Sequence, residues 1–123
     1  MKRWGILYLV PAGAYMALIF WLSSRPAPEF AHYCPIVLGF KLLHMAEFGV
    51  LSLLFAEGLR RGSRLPVRTI VVTSVLLTFL WGVADEWHQV FVPQRTPSPV
   101  DAVSDLIGAA LLMAAYCLFR RCR

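Results

Sequence analysis

Four long apolar runs, separated by short clusters of charge, proline and glycine, set the pattern of the chain. The first, residues 5–22, ends at Ser23-Ser24-Arg25-Pro26-Ala27-Pro28, residues that favour turns and extended backbone. The second covers about residues 39–59 and closes on Arg60-Arg61-Gly62-Ser63-Arg64. The third begins at Val67, after Pro66, and keeps its helical pattern to Val92, where Pro93 stops it. The fourth covers about residues 100–119. Crossing a hydrocarbon core takes about 20 mostly apolar residues per helix. The pattern therefore predicts an all-α fold, a four-helix transmembrane bundle occupying residues 1–123 as one domain.

Composition supports this: 59% of the 123 residues are hydrophobic and 15% charged, too apolar for a soluble domain of this size. Four spans leave only short connections, with no space for a soluble nucleotide-binding module, and no Gly-rich phosphate loop occurs. The formal net charge of +5 raises nucleic acid as a partner, but the basic residues sit between apolar runs and fit a membrane surface instead. The start has the charge order of a signal peptide. Its apolar run is longer than ~7–15 residues and lacks a small-x-small cleavage site, so it reads as an uncleaved first helix. Cys34, Cys117 and Cys122 form no paired framework and receive no role.

Lys and Arg accumulate in cytoplasmic loops, so they orient the bundle. Lys2, Arg3, Arg60, Arg61, Arg64, Arg68, Arg120, Arg121 and Arg123 fall on one side, and Arg25, Lys41 and Arg95 on the other. Both termini are therefore expected in the cytoplasm. The acids distribute oppositely: Glu29, Glu47, Asp85, Glu86, Asp101 and Asp105 lie toward the outer side and Glu57 toward the inner. Acidic residues do not set topology, so their gathering needs another cause.

The outer half of helix two carries Lys41, His44 and Glu47 at i, i+3 spacing, roughly one face. The outer end of helix three carries Asp85, Glu86, His88 and Gln89, and helix four opens with Asp101 and Asp105. An ionisable group facing lipid costs about 2.5–3.5 kcal/mol on insertion scales, so such a gathering marks a functional site by default. His44, Glu47, Asp85, Glu86 and His88 are the candidates for acid-base chemistry. Lys41, Gln89, Arg95, Ser98, Asp101 and Asp105 are the candidates for holding a ligand, with Arg95 or Lys41 neutralising a phosphate.

Each also has a purely structural reading. Lys41 and Arg95 can snorkel to head groups, Asp101 can cap helix four, Asp105 can pair with Arg95 or Lys41, and His44 with Glu47 can be a buried hydrogen-bonded pair. His44, Glu47, Glu86 and His88, together with Asp85, are a conceivable metal-ligand set. The Glu-x-x-His pairs of carboxylate di-metal bundles are absent, and no metal or other cofactor is expected. Gly13 with Ala17, and Ser104 with Gly108, are small pairs that permit close helix approach. Trp4, Trp21 and Trp87 read as interfacial belt residues, and Pro93, Pro97 and Pro99 should restrain the loop carrying Arg95.

The stretch Asp85-Glu86-Trp87-His88-Gln89-Val90-Phe91-Val92-Pro93-Gln94-Arg95, followed by Ser98, Asp101, Asp105 and Gly108, resembles the signature of VanZ-like membrane proteins. Lys41, His44 and Phe48 match that family's other recurring cluster, and the resemblance covers roughly residues 38–120. The chain departs from the pattern where the family has Asp (here Phe40), Gly (Gln94), Asn (Asp105) and often Gly (near Leu112). The resemblance implies a multi-pass protein of the bacterial cytoplasmic (inner) membrane, whose namesake is associated with low-level resistance to the glycopeptide teicoplanin. A phosphotransbutyrylase label on some relatives does not suit a chain without a soluble acyl-CoA-binding region, and the family name brings no agreed activity. Position by position, the family's polar residues fall on Lys41, His44, Asp85, Glu86, Gln89, Arg95, Ser98 and Asp101.

Residues and resemblance together lead to a protein that binds a membrane lipid or a lipophilic envelope molecule at its outer face, affecting envelope properties or glycopeptide tolerance. Two alternatives stay open: a membrane-embedded enzyme acting on a lipid head group, and an assembly subunit whose polar cluster only ties helices together.

Overall fold

A computed structural model describes residues 5–25 and 37–121, with the side chains of residues 37–40 and 121 outside the description. The expectations placed on Trp4, Glu29, Cys34, Cys122 and the terminal Lys2, Arg3 and Arg123 lie outside it. The described residues are helix and connecting loop without strands: a 3-10 turn, Gly5–Leu9, then α1 (Val10–Ser23), α2 (Val37–Gly62), α3 (Val67–Gln89) and α4 (Pro99–Arg121). Four helical segments are long and apolar enough to cross a membrane: Gly5–Ser23, Lys41–Gly62, Val67–Gln89 and Pro99–Arg120. Within hydrocarbon every backbone group must be satisfied inside the chain, and helices do that.

Several boundaries differ from the sequence expectation: α2 runs on to Gly62, past residue 59, and the first and third spans change character at their ends. The first span opens as a 3-10 turn, with α1 starting beside Pro11, which lacks an N–H and is accommodated in a first helical turn. Helix α3 stops at Gln89 instead of Val92. Val90, Phe91 and Val92 donate to the carbonyls of Trp87, His88 and Gln89, tightening the end into i→i+3 bonds before Pro93.

Helix α2 is the hub, packing most extensively on α4 and also on α1, α3 and the 3-10 turn. Its Phe48, Leu51 and Phe55 join Ala12 and Ile19 of α1 in one core cluster, and its Ala56 joins Ile70 and Met113 in a second. The α2–α4 crossing depends on Gly108, where a Cβ would collide with the backbone of Met45. The 3-10 turn crosses the end of α2 at Gly5 and Gly62, whose backbones leave no space for a Cβ on either. Gly13 does not share the close-approach role its spacing suggested, since a Cβ there would meet nothing within 4 Å. Outward-facing Leu43, Val72, Leu118 and Phe119 are 59–78% exposed. A belt of such residues on every helix is what a lipid-facing surface requires.

The antiparallel order brings the end of α1, the start of α2, the end of α3 and the start of α4 to one end, the acidic end. Glu57, Arg60, Arg61, Arg68 and Arg120 gather at the other, basic end, where Glu57 Oε1 accepts from Arg60 and Arg61 at 2.5 and 2.6 Å.

A polar cluster and groove at the acidic end

Asp85 and Glu86 are neighbours on α3, and consecutive helical positions point about 100° apart. The structure separates them. Asp85 is 2% exposed and turns toward α1. Its Oδ1 accepts from Ser23 Oγ at 2.5 Å and its Oδ2 from Gln89 Nε2 at 3.0 Å. Glu86 turns toward the loop before α4, where its Oε2 accepts from the Ser98 N–H at 3.0 Å. Ser98 Oγ accepts from the Val100 N–H at 3.2 Å, an N-cap arrangement just ahead of Pro99. The capping role suggested for Asp101 therefore belongs to Ser98. Asp101 sits in the first turn of α4, where a negative charge complements the helix dipole.

Asp105 is 1% exposed and faces α2. Its Oδ1 is 3.6 Å from His44 Nδ1, just beyond hydrogen-bonding distance, and neither atom has another partner among the described residues. His44 is thus matched with Asp105 and not with Glu47, and Asp105 with His44 and not with Arg95 or Lys41. The His44 ring also stacks with Phe48, centroids 6.2 Å apart. His88 faces α1, with Nε2 3.0 Å from Ser24 Oγ and its ring 4.2 Å from that of Phe20.

Between α1 and α2 a half-open groove of about 570 Å³ leads to this end, within the ~300–1,000 Å³ range of ligand clefts. Tyr15, Ile19, Leu43 and Val50 form its apolar walls. His44, Glu47 and Asp85 form its polar floor, and Arg25 and Arg95 stand at its rim. Arg95 Nε donates to the Arg25 carbonyl at 3.1 Å, and the Arg25 guanidinium lies 4.3 Å from the centre of the Trp21 ring. The Arg95 loop is thereby fixed to the end of α1, with Gln94 at φ 63° making the turn.

Of the acid-base candidates, His44, Glu47 and Asp85 line the groove, whereas Glu86 and His88 do not. Of the ligand-binding candidates, Arg95 lines it, Gln89 acts through Asp85, Ser98 through Glu86, and Asp105 lies behind His44. Lys41 and Asp101 are half-buried at the same end. Among the described residues no group of three or more His, Cys, Asp or Glu is arranged to hold a metal ion, so His44, Glu47, Glu86 and His88 do not assemble as a ligand set. Sequence reasoning missed Ser23, Arg25 and Tyr15. The first two read as helix-ending residues and Tyr15 as part of an apolar run; only the three-dimensional packing of α1 on α2 and α3 reveals them.

No curated protein and no solved structure matches the chain. A family model, VanZ/LLP1, matches residues 5–120. A match of that extent, across all four spans and both halves of the polar cluster, makes the chain a member of the VanZ/LLP1 family.

Proposed function

We propose that the protein binds an amphipathic molecule of the bacterial envelope, a membrane lipid or a lipophilic glycopeptide of the teicoplanin type, in the α1–α2 groove, and so alters envelope properties or glycopeptide tolerance. The groove carries this reading: apolar walls run into a floor with buried Asp85, half-buried His44 and Glu47, and a rim of Arg25 and Arg95. An apolar tail fits along Tyr15, Ile19, Leu43 and Val50, a phosphate or carboxylate suits the rim cations, and hydroxyl or amino groups suit Glu47. With both termini in the cytoplasm of a bacterial inner membrane, as the excess of basic residues at the opposite end favours, the polar end faces outward, where such ligands are exposed.

The first test is native mass spectrometry of the protein purified in mild detergent, with bound lipid identified and teicoplanin then titrated. Arg95→Ala should lower ligand retention about tenfold, the scale of a charge-assisted contact of ~1.4 kcal/mol, without loss of the folded fraction. Equal retention in both proteins overturns the reading. The enzyme reading has one observation in its favour, the His44–Asp105 pair behind Glu47, with two buried polar atoms lacking hydrogen-bond partners. Turnover of a lipid head group abolished by Glu47→Gln, with ligand retention unchanged, would select it.

A further inference from the structure

A second groove, of about 570 Å³, opens on the lipid-facing side of α3 and α4 at the basic end. Val67, Val71, Val72 and Cys117 form its apolar surface, and Arg68 and Arg120 stand beside it. We propose that this groove is a binding site for an anionic phospholipid, whose phosphate sits between Arg68 and Arg120 and whose acyl chain lies along Val71, Val72 and Cys117. The proposal is independent of the α1–α2 groove, from which it differs in helices, end and charge.

Charge complementarity supports this occupant. The described acids include one at this end, Glu57, and its carboxylate is engaged by Arg60 and Arg61 at 2.5–2.9 Å. Arg120 stands farther from it, 3.9 Å at the nearest approach, with its guanidinium 5.1 Å from the Tyr116 ring centre. Arg68 has no ion pair among the described residues. One negative charge against Arg60, Arg61, Arg64, Arg68 and Arg120 leaves an excess of four positive charges among the described side chains at this end, two of them on the groove. Two guanidiniums flanking a concave apolar surface at a helix pair's end match the form of a phospholipid, an anion joined to hydrocarbon. Val72 is 59% and Val67 54% exposed, so the groove opens sideways to the bilayer and a lipid enters without any helix moving.

The depth is also consistent. Val67 to Val72 spans about 7.5 Å along α3, which carries the groove from the level of Arg68 into the hydrocarbon region. A free phosphate would use the two arginines and leave the valine surface empty; a neutral lipid would use the surface and leave the arginines unmatched.

The test uses the full chain in mild detergent, titrated with phosphatidylglycerol and with phosphatidylcholine, and bound lipid counted by native mass spectrometry. Four proteins are compared: wild type, Arg68→Gln/Arg120→Gln, Arg68→Lys/Arg120→Lys and Val72→Trp. A basic side chain near an anionic surface contributes a factor of about five, so the double Gln variant should bind phosphatidylglycerol about thirtyfold more weakly. The double Lys variant should keep most of the affinity. Val72→Trp, a change on an exposed position that leaves every charge in place, should lower it by filling the groove. Phosphatidylcholine should bind weakly throughout. Undiminished phosphatidylglycerol binding in either the Gln pair or Val72→Trp overturns the proposal. So does displacement of the lipid by millimolar inorganic phosphate. All four proteins are also compared in an Arg95→Ala background, which weakens lipid retention at the other groove, so that the loss in the Gln pair and in Val72→Trp is read at this groove alone.

Discussion

Ser23 and Asp85 are 62 positions apart and hold α1 to α3 through one short hydrogen bond, so their coupling can be worked out in advance. Ser23 Oγ is 2.5 Å from Asp85 Oδ1 and 3.1 Å from the Phe20 carbonyl. One hydroxyl proton serves one acceptor at a time, and the shorter contact, to the carboxyl, is the bond at stake. Hydrogen bonds to charged groups contribute about 1.5–3 kcal/mol in soluble proteins, whereas interhelical bonds in membranes average ~0.6 and reach ~1.7 kcal/mol. Ser23 and Asp85 are 6% and 2% exposed, with little opportunity for either to find another partner, which points to the upper part of the membrane range. Ser23→Ala should cost about 1–1.5 kcal/mol. Asp85→Ala should cost more, about 2–3 kcal/mol, because it also strands Gln89 Nε2, now 3.0 Å from Oδ2. The double variant should fall short of the sum by about 1–1.5 kcal/mol. The assay is reversible unfolding in mixed micelles, with α1 docking followed by Trp21 fluorescence in a background where Trp4, Trp81 and Trp87 are replaced by Phe. A coupling below about 0.3 kcal/mol, the ordinary error of additivity, would refute the view that this bond ties α1 to the bundle.

Other consequences follow from single contacts. Gly108→Leu should destabilise by at least about 1–3 kcal/mol through collision with the Met45 backbone, while Gly13→Ala, facing open space, should be neutral or stabilising by up to ~1 kcal/mol in the same unfolding assay. Glu86→Ala should free the Ser98 N–H and raise its hydrogen-exchange rate roughly tenfold, leaving amides in the middle of α3 unchanged; uniform loosening of both would contradict a clamp confined to the loop.

The four spans were legible in the sequence because each apolar run exceeds the length that a soluble helix needs and is bounded by proline, glycine or arginine. The acidic end was legible for a related reason: groups costly in lipid, placed at the same depth on three helices, must converge or face water. Orientation about each helix axis was less legible. Asp85 and Glu86 differ only by a rotation of about 100°, and which one turns to α1 depends on how α3 packs on α2 and α4. Pairings were misassigned where spacing within one helix competed with a partner on another: Glu47 is three residues from His44 in sequence, yet Asp105 on α4 lies against its ring nitrogen. The end of α3 was overrun by three residues because apolar character continues to Val92, while backbone hydrogen bonding changes to i→i+3 at Gln89.

Why one end of a membrane bundle should collect acids now has a partial physical answer, and that answer narrows the functional candidates. Asp85 is committed to Ser23 and Gln89, Glu86 to the Ser98 backbone, and Asp105 to the neighbourhood of His44. These three join α1 to α3, α3 to the α4 loop, and α4 to α2, so each spans a different pair of elements. Removing any of them disturbs packing as well as chemistry, and loss of activity in such a variant would say little about ligand contact. Glu47 differs: it lines the groove, is half-buried, and has no hydrogen bond or ion pair among the described residues. A carboxyl placed so at a membrane end, with no structural bond to maintain, is costly without a ligand or solvent to satisfy it. Glu47 and Arg95, both lining the groove, are therefore the positions where substitution separates binding from assembly.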